Sequence, residues 1–251
     1  ILNSLGRNQS VDTSILSELG KPGTLRIGVN LGNILLVTGE SANGGPEGIS
    51  PDMGAEIARR LGVDVEYVTF ATPGEVADAV TEDAWDIALI AVEPKRAEKI
   101  TFCKAYVEIE ATYLVPEGSP LQTVEDVDKP GVNVAVSARA AYDLYLSRTL
   151  KYAELHRAEG LPGAFKLFQE EKLDALAGLV PALKENAVNM PGSRVLDGKY
   201  TSVQQAIGTK PENKALYTFL QDYLTEVCAS GFVQELIDKH GVTGKLAVVK
   251  S

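Results

Sequence analysis

The residue best placed for chemistry is Arg96. It follows a short apolar run, Ile87 to Val92, that Asp86 opens and that reads as a buried strand. Pro94 stops this run and suits the first turn of a helix. A guanidinium just past the carboxyl end of a strand is placed to grip a carboxylate through two parallel N–H bonds. Glu93 beside it has three readings: a partner for Arg96, a solvated acid, or a holder of a cationic ligand group. Asn30 and Asn33 stand where an earlier apolar strand ends; they are candidate ligand contacts, although Asn also favours turns. Ser137 and Arg139 stand at the start of a helical stretch. A cation there opposes the helix dipole, so an anionic partner for Arg139 is expected.

Other chemistries find no support in the sequence. It has no metal-spaced cluster of His and Cys, no phosphate loop and no Gly-x-Ser-x-Gly elbow. Neither a metal nor a cofactor is expected. The two histidines, His156 and His240, lie in unrelated contexts. Glu108 and Glu110 alternate along a strand and so share a face, which does not make them catalytic. A net charge of -10 disfavours nucleic acid as a partner, because the bulk field repels phosphate. It leaves room for a small anion beside a local Arg. No apolar run approaches the roughly 20 residues of a membrane helix. The chain starts at Ile1 without Met, and a mature chain with its signal peptide removed is expected. Cys228 falls on an apolar helical face, either as a free thiol or bridged to Cys103; the cysteines do not decide the compartment.

The elements that position these residues alternate. Ile1 to Ser10 is polar and weakly patterned, and Val11 to Leu19 reads as a short helix. Strands are expected at Thr24 to Val29, Val63 to Phe70 and Ile87 to Val92. Between them lie helices, one capped by Ser50 with Pro51 first and one capped by Thr72 over 73 to 82. This β-α-β-α-β order predicts a parallel sheet with helices on its faces. Thr112 to Val115, Gly131 to Val136, Ala153 to Ala158 and Lys172 to Gly178 give further strands. Helices are expected from Arg139, over Pro162 to Lys172 and over Pro181 to Val188. Val203 to Ile207 forms a late strand. Asn213 to Ala229 carries one apolar stripe, and a second helix follows Gly231.

These motifs resemble a known family, the extracellular solute-binding proteins of bacterial ABC importers, of the amino-acid type. Trp85-Asp86, the following strand, Glu93-Pro94-Lys95-Arg96 and Phe102-Cys103-Lys104-Ala105-Tyr106 are similar to its Phe-Asp, strand, Thr-Pro-Glu-Arg and Phe-Ser-x-Pro-Tyr series. The resemblance runs from about Thr24 to His240. It implies an α/β, two-lobed, type II periplasmic-binding-protein-like fold, each lobe a mixed, mainly parallel sheet flanked by helices, with two hinge strands. Lobe 1 is expected at 24–112 and 205–251, lobe 2 at 113–204, and an N-terminal extension at 1–23. The resemblance makes Ala91 a contact through its backbone only, where the family has Thr or Ser. It places a Gly-Thr-Thr-like anion-binding turn at Arg139-Ala140-Ala141, so Ala140 joins the candidates, as does Phe70. It also shows a departure: Leu179 stands where the family has the Asp that holds an amino acid's ammonium.

The implied function is an extracytoplasmic, periplasmic receptor that binds an amino acid or related small carboxylate by hinge closure. Its implied partner is an ABC permease of the inner membrane, and it is expected to be a monomer. Two alternatives stand beside this: a cyclohexadienyl-dehydratase-like lyase on the same fold, which would need a general acid in the cleft, and the sensor domain of a membrane receptor.

Overall fold

The structure, a computed structural model, describes residues 12–250. The expected irregular stretch from Ile1 to Ser10 lies outside them. The first helix, α1 (Thr13–Glu18), is capped by the Asp12 side chain. The strands are β1 (Thr24–Asn30), the ribbon β2 (Gly39–Glu40) with β3 (Pro46–Glu47), β4 (Asp64–Phe70), β5 (Ile87–Ala91), β6 (Thr101–Phe102), β7 (Val107–Val115), β8 (Asn133–Ser137), β9 (Glu154–Ala158), β10 (Ala175–Leu179), β11 (Arg194–Val195), β12 (Thr201–Thr209) and β13 (Ala247–Val248). The other helices are α2 (Ile49–Leu61), α3 (Pro73–Asp78), α4 (Pro94–Ala97), α5 (Ala141–Thr149), α6 (Gly160–Glu170), α7 (Val180–Val188), α8 (Lys214–Ala229) and α9 (Phe232–Lys239).

Two parallel sets carry the architecture. β4, β1 and β5 lie side by side and parallel, and so do β10, β8 and β9. The long strands β7 and β12 join them. β12 pairs with β5 over Gln205 to Thr209 and with β7 over Thr201 to Gln205. β7 then pairs with β10 through Ala111 to Leu114. Among the described residues the ladder is therefore one eleven-stranded mixed sheet. The sheet expected for each lobe is present as one of these parallel sets, and the two are continuous because β7 and β12, each nine residues long, together pair with both.

Burial explains the strand sequences. In β5, Ile87, Leu89 and Ala91 face the large core cluster, while Ala88 and Ile90 face a second one built around Trp85. A strand covered on both faces needs no polar positions, hence its continuous apolar run. β10 behaves alike, with Ala175, Ala177 and Leu179 on one side and Leu176 on the other. Trp85 is fully buried and donates its ring N–H to the Val76 carbonyl. Ser50 is not a cap: α2 begins at Ile49 after Gly48 at φ 149°, and Ser50 is buried opposite Tyr106. Glycine suits that backbone angle, which other residues rarely adopt. Cys103 and Cys228 are both free thiols.

Candidate functional site

Loops at the carboxyl ends of β1, β4 and β5 face those that follow β8 and β9, where ligands bind in open α/β sheets. They line a half-open cavity of about 60 Å³. From the first set come Asn30, Asn33, Ala71, Thr72, Pro73, Ala91 and Arg96. From the second come Ser137, Ala140, Ala141, Tyr142, Gly160 and Leu161, and Val203 of β12 completes the wall. Six of the expected contacts thus meet in one place: Arg96, Ala91, Asn30, Asn33, Ser137 and Ala140.

Arg96 is held by the short turn that Pro94 begins. Its Nη1 donates to the Ala91 carbonyl at the end of β5 (2.9 Å), and its Nη2 reaches across to the Arg139 carbonyl (2.9 Å). The side chain is 5% exposed. Among the described residues no carboxylate forms an ion pair with it, and burial lowers its pKa to about 10, against an opposing pull from Glu93. A buried cation with neutral acceptors only is costly to hold, so its charge is available to an anion.

The two amides serve turns as well as the wall. The Asn30 side chain accepts from the Gly32 N–H, and that of Asn33 accepts from Leu35 and Leu36. Their oxygens are thereby engaged, which leaves the NH2 groups for a ligand.

Three expected contacts lie elsewhere. Arg139 has φ 62°, so α5 begins after it, and its guanidinium leaves the cavity for Asp78 of α3 (2.6 and 2.8 Å). The anionic partner expected for it exists but belongs to the protein. The Arg139 backbone contributes instead: its N–H donates to the buried Asp143 (2.7 Å) and its carbonyl receives Arg96. Glu93 is 4% exposed and takes Arg148 through both oxygens (2.8 and 2.5 Å), so it neither pairs with Arg96 nor meets solvent. Phe70 packs against the cluster around Trp85. Leu179 is buried in β10 and contributes no wall to the cavity.

Several wall residues escaped the sequence reading. Thr72 and Pro73 were legible only as a helix start, and Thr72 does accept from the Glu75 N–H. Tyr142 read as an ordinary helix residue, yet its hydroxyl is buried in the wall without a hydrogen-bond partner. Leu161 carries no local signal at all.

Fold and site together define a type II periplasmic binding protein fold with, among the described residues, a single buried cation in its cleft. Residues 25–243 match the bacterial extracellular solute-binding proteins, family 3, and the chain belongs to that family. Solved structures agree on the fold. A mutant of ArgBP from T. maritima superposes with TM-score 0.73 at 23% identity, over 90% of this chain and 98% of that one. An ancestral amino acid-binding protein, described as a precursor of cyclohexadienyl dehydratase, gives TM-score 0.73 at 24% identity, over 89% and 98%. The cyclohexadienyl dehydratase of Pseudomonas aeruginosa is 27% identical over 146 residues, which is 57% of this chain and about half (54%) of that protein's length. Among the described residues no helix is long and apolar enough to cross a membrane.

Proposed function

We propose that the protein is an extracytoplasmic receptor of an ABC importer. It binds a small solute bearing a carboxylate, an amino acid or related organic acid, between lobes at 24–112 with 205–251 and at 113–204. The lobes close by hinge motion across β7 and β12. One observation carries this reading: Arg96 is buried in the cavity wall and, among the described residues, bonds only to carbonyl oxygens. A carboxylate would supply the missing countercharge and fill the fork. The start of α5 adds backbone N–H groups and the positive end of its dipole. The family description and the two solved binding proteins named above support a binding role, and the word extracellular in that description supports a place outside the cytoplasm, where a permease of the inner membrane would be its partner.

Isothermal titration with amino acids and small organic acids tests the reading. Arg96→Lys keeps the charge and loses the fork, and is expected to weaken the best ligand by roughly tenfold or more with folding intact. Unchanged affinity would make Arg96 a structural residue.

The match to a dehydratase favours a second reading, water loss from a carboxylated cyclohexadiene. That reaction needs a general acid at the leaving hydroxyl. Among the described residues no Asp or Glu lines the cavity. Incubation with such a dienol, followed by the absorbance of the aromatic product, separates the readings: turnover would replace the receptor by an enzyme.

A further inference from the structure

We propose that the solute is a small monocarboxylate without an ammonium or other cationic group, of the 2-oxo or 2-hydroxy acid class. This rests on Arg96 as the carboxylate anchor and goes further by assigning the remainder of the ligand.

The argument is a charge balance. Arg96 is the charged side chain of the cavity wall, and the described wall holds no acid. Three acids behind the wall are committed to arginines, and a fourth, the exposed Glu75, accepts the Ala71 N–H (3.1 Å). Glu93 is gripped by Arg148 through both oxygens. Asp143 takes Arg157 Nε at 3.0 and 3.1 Å, the Arg139 N–H at 2.7 Å and the Ser147 hydroxyl. Asp78 is occupied by Arg139. An ammonium in the cavity would lose water, gain no countercharge and feel the Arg96 guanidinium.

A neutral oxygen in its place finds what it needs. Among the described residues the buried Tyr142 hydroxyl has no hydrogen-bond partner within 3.5 Å, and the 93%-buried Ser137 lies close to it in the same wall. A hydroxyl can donate to an oxo group, or donate to or accept from an alcohol. Ala71, Pro73, Ala91, Ala140, Leu161 and Val203 form the apolar part of the wall, and Asn30, Asn33 and Thr72 add further neutral polar side chains.

Titration calorimetry with matched sets of two sizes tests this: alanine, pyruvate and lactate, then valine, 2-oxoisovalerate and 2-hydroxyisovalerate. The wild type and Arg96→Lys are both titrated, with thermal melting as a check on folding. The expected result is that an oxo or hydroxy acid binds at least tenfold tighter than its amino counterpart, and that Arg96→Lys weakens it. If an amino acid binds as tightly or more tightly and still depends on Arg96, the ligand class is wrong and the carboxylate anchor stands. If no acid of either set binds, or binding ignores Arg96→Lys, the anchor falls and the ligand class falls with it.

Discussion

A guanidinium taken out of water without a carboxylate raises the free energy of the folded chain, and Arg96 is such a group. Arg96→Met is therefore expected to stabilise the ligand-free protein by about 1–3 kcal/mol in urea unfolding while abolishing solute binding. A destabilised variant would show that its two carbonyl bonds outweigh the burial cost. Glu56 shows the opposite case. Hydrogen bonds from Arg59, joined by Arg60, hold its carboxyl at about 2, against burial that pushes it up. A carboxyl depressed in the folded state stabilises fully above its ordinary value of 4.5 and loses that contribution as pH falls from 4.5 towards about 2. Urea midpoints over that window should fall with pH, and Glu56→Gln should flatten the decline. At this scale Arg96 was legible because a strand end and a proline fix its place from neighbouring residues. The positions of Arg139 and Glu93 were not legible, since Asp78 and Arg148, which claim them, are remote in sequence.

Elements were easier to read than side chains, because periodicity is local. β4, β5, β9, α7 and α8 fall within a residue or two of their expected ranges. Misses came where tertiary contacts override a local signal. Ser50 looked like a cap, but the helix starts one residue before it, after Gly48, and Ser50 is buried against Tyr106; α2 also packs closely on β1. Gly54 marks that approach: a Cβ there would lie 2.7 Å from Ile27 Cδ1 and 2.9 Å from its Cγ2. The helix preference of Ala over Gly is about 1 kcal/mol, less than the roughly 1–3 kcal/mol cost of overpacking. Gly54→Ala is expected to destabilise by about 1 kcal/mol in thermal melts, and Ile27→Val to recover part of it. The start of α5 was misjudged because Arg139 adopts a left-handed backbone, which sequence assigns to glycine by default.

For the whole molecule, the alternating elements gave the α/β class, while the continuity of the ladder depended on how far β7 and β12 extend. Among the described residues, contacts from Arg96 to the Arg139 carbonyl, from Arg139 to Asp78 and to the Gly74 carbonyl, and from Arg148 to Glu93 tie the two sets across the cavity. The Arg139–Asp78 pair is half or more exposed on both sides (53% and 62%) and contributes at most about 1 kcal/mol. Asp78→Ala is thus expected to shift a closed-to-open balance by no more than about fivefold, seen as a larger radius of gyration in solution scattering. An unchanged radius at every ligand concentration would argue against hinge motion. The path of the chain through β12 also orders its assembly in time. The strands β8, β9 and β10 and the helices between them come from one uninterrupted stretch, so they can collapse as soon as that stretch leaves the ribosome. β5 can pair early with β1, but its other edge must wait, because the partner at Gln205 to Thr209 is made long after Ile87 to Ala91. Pulse-labelled hydrogen exchange during refolding should protect β8 before β5. Until β12 arrives, the edge of β5 is an open template for a neighbouring chain, and the nascent protein is most prone to aggregate in that interval.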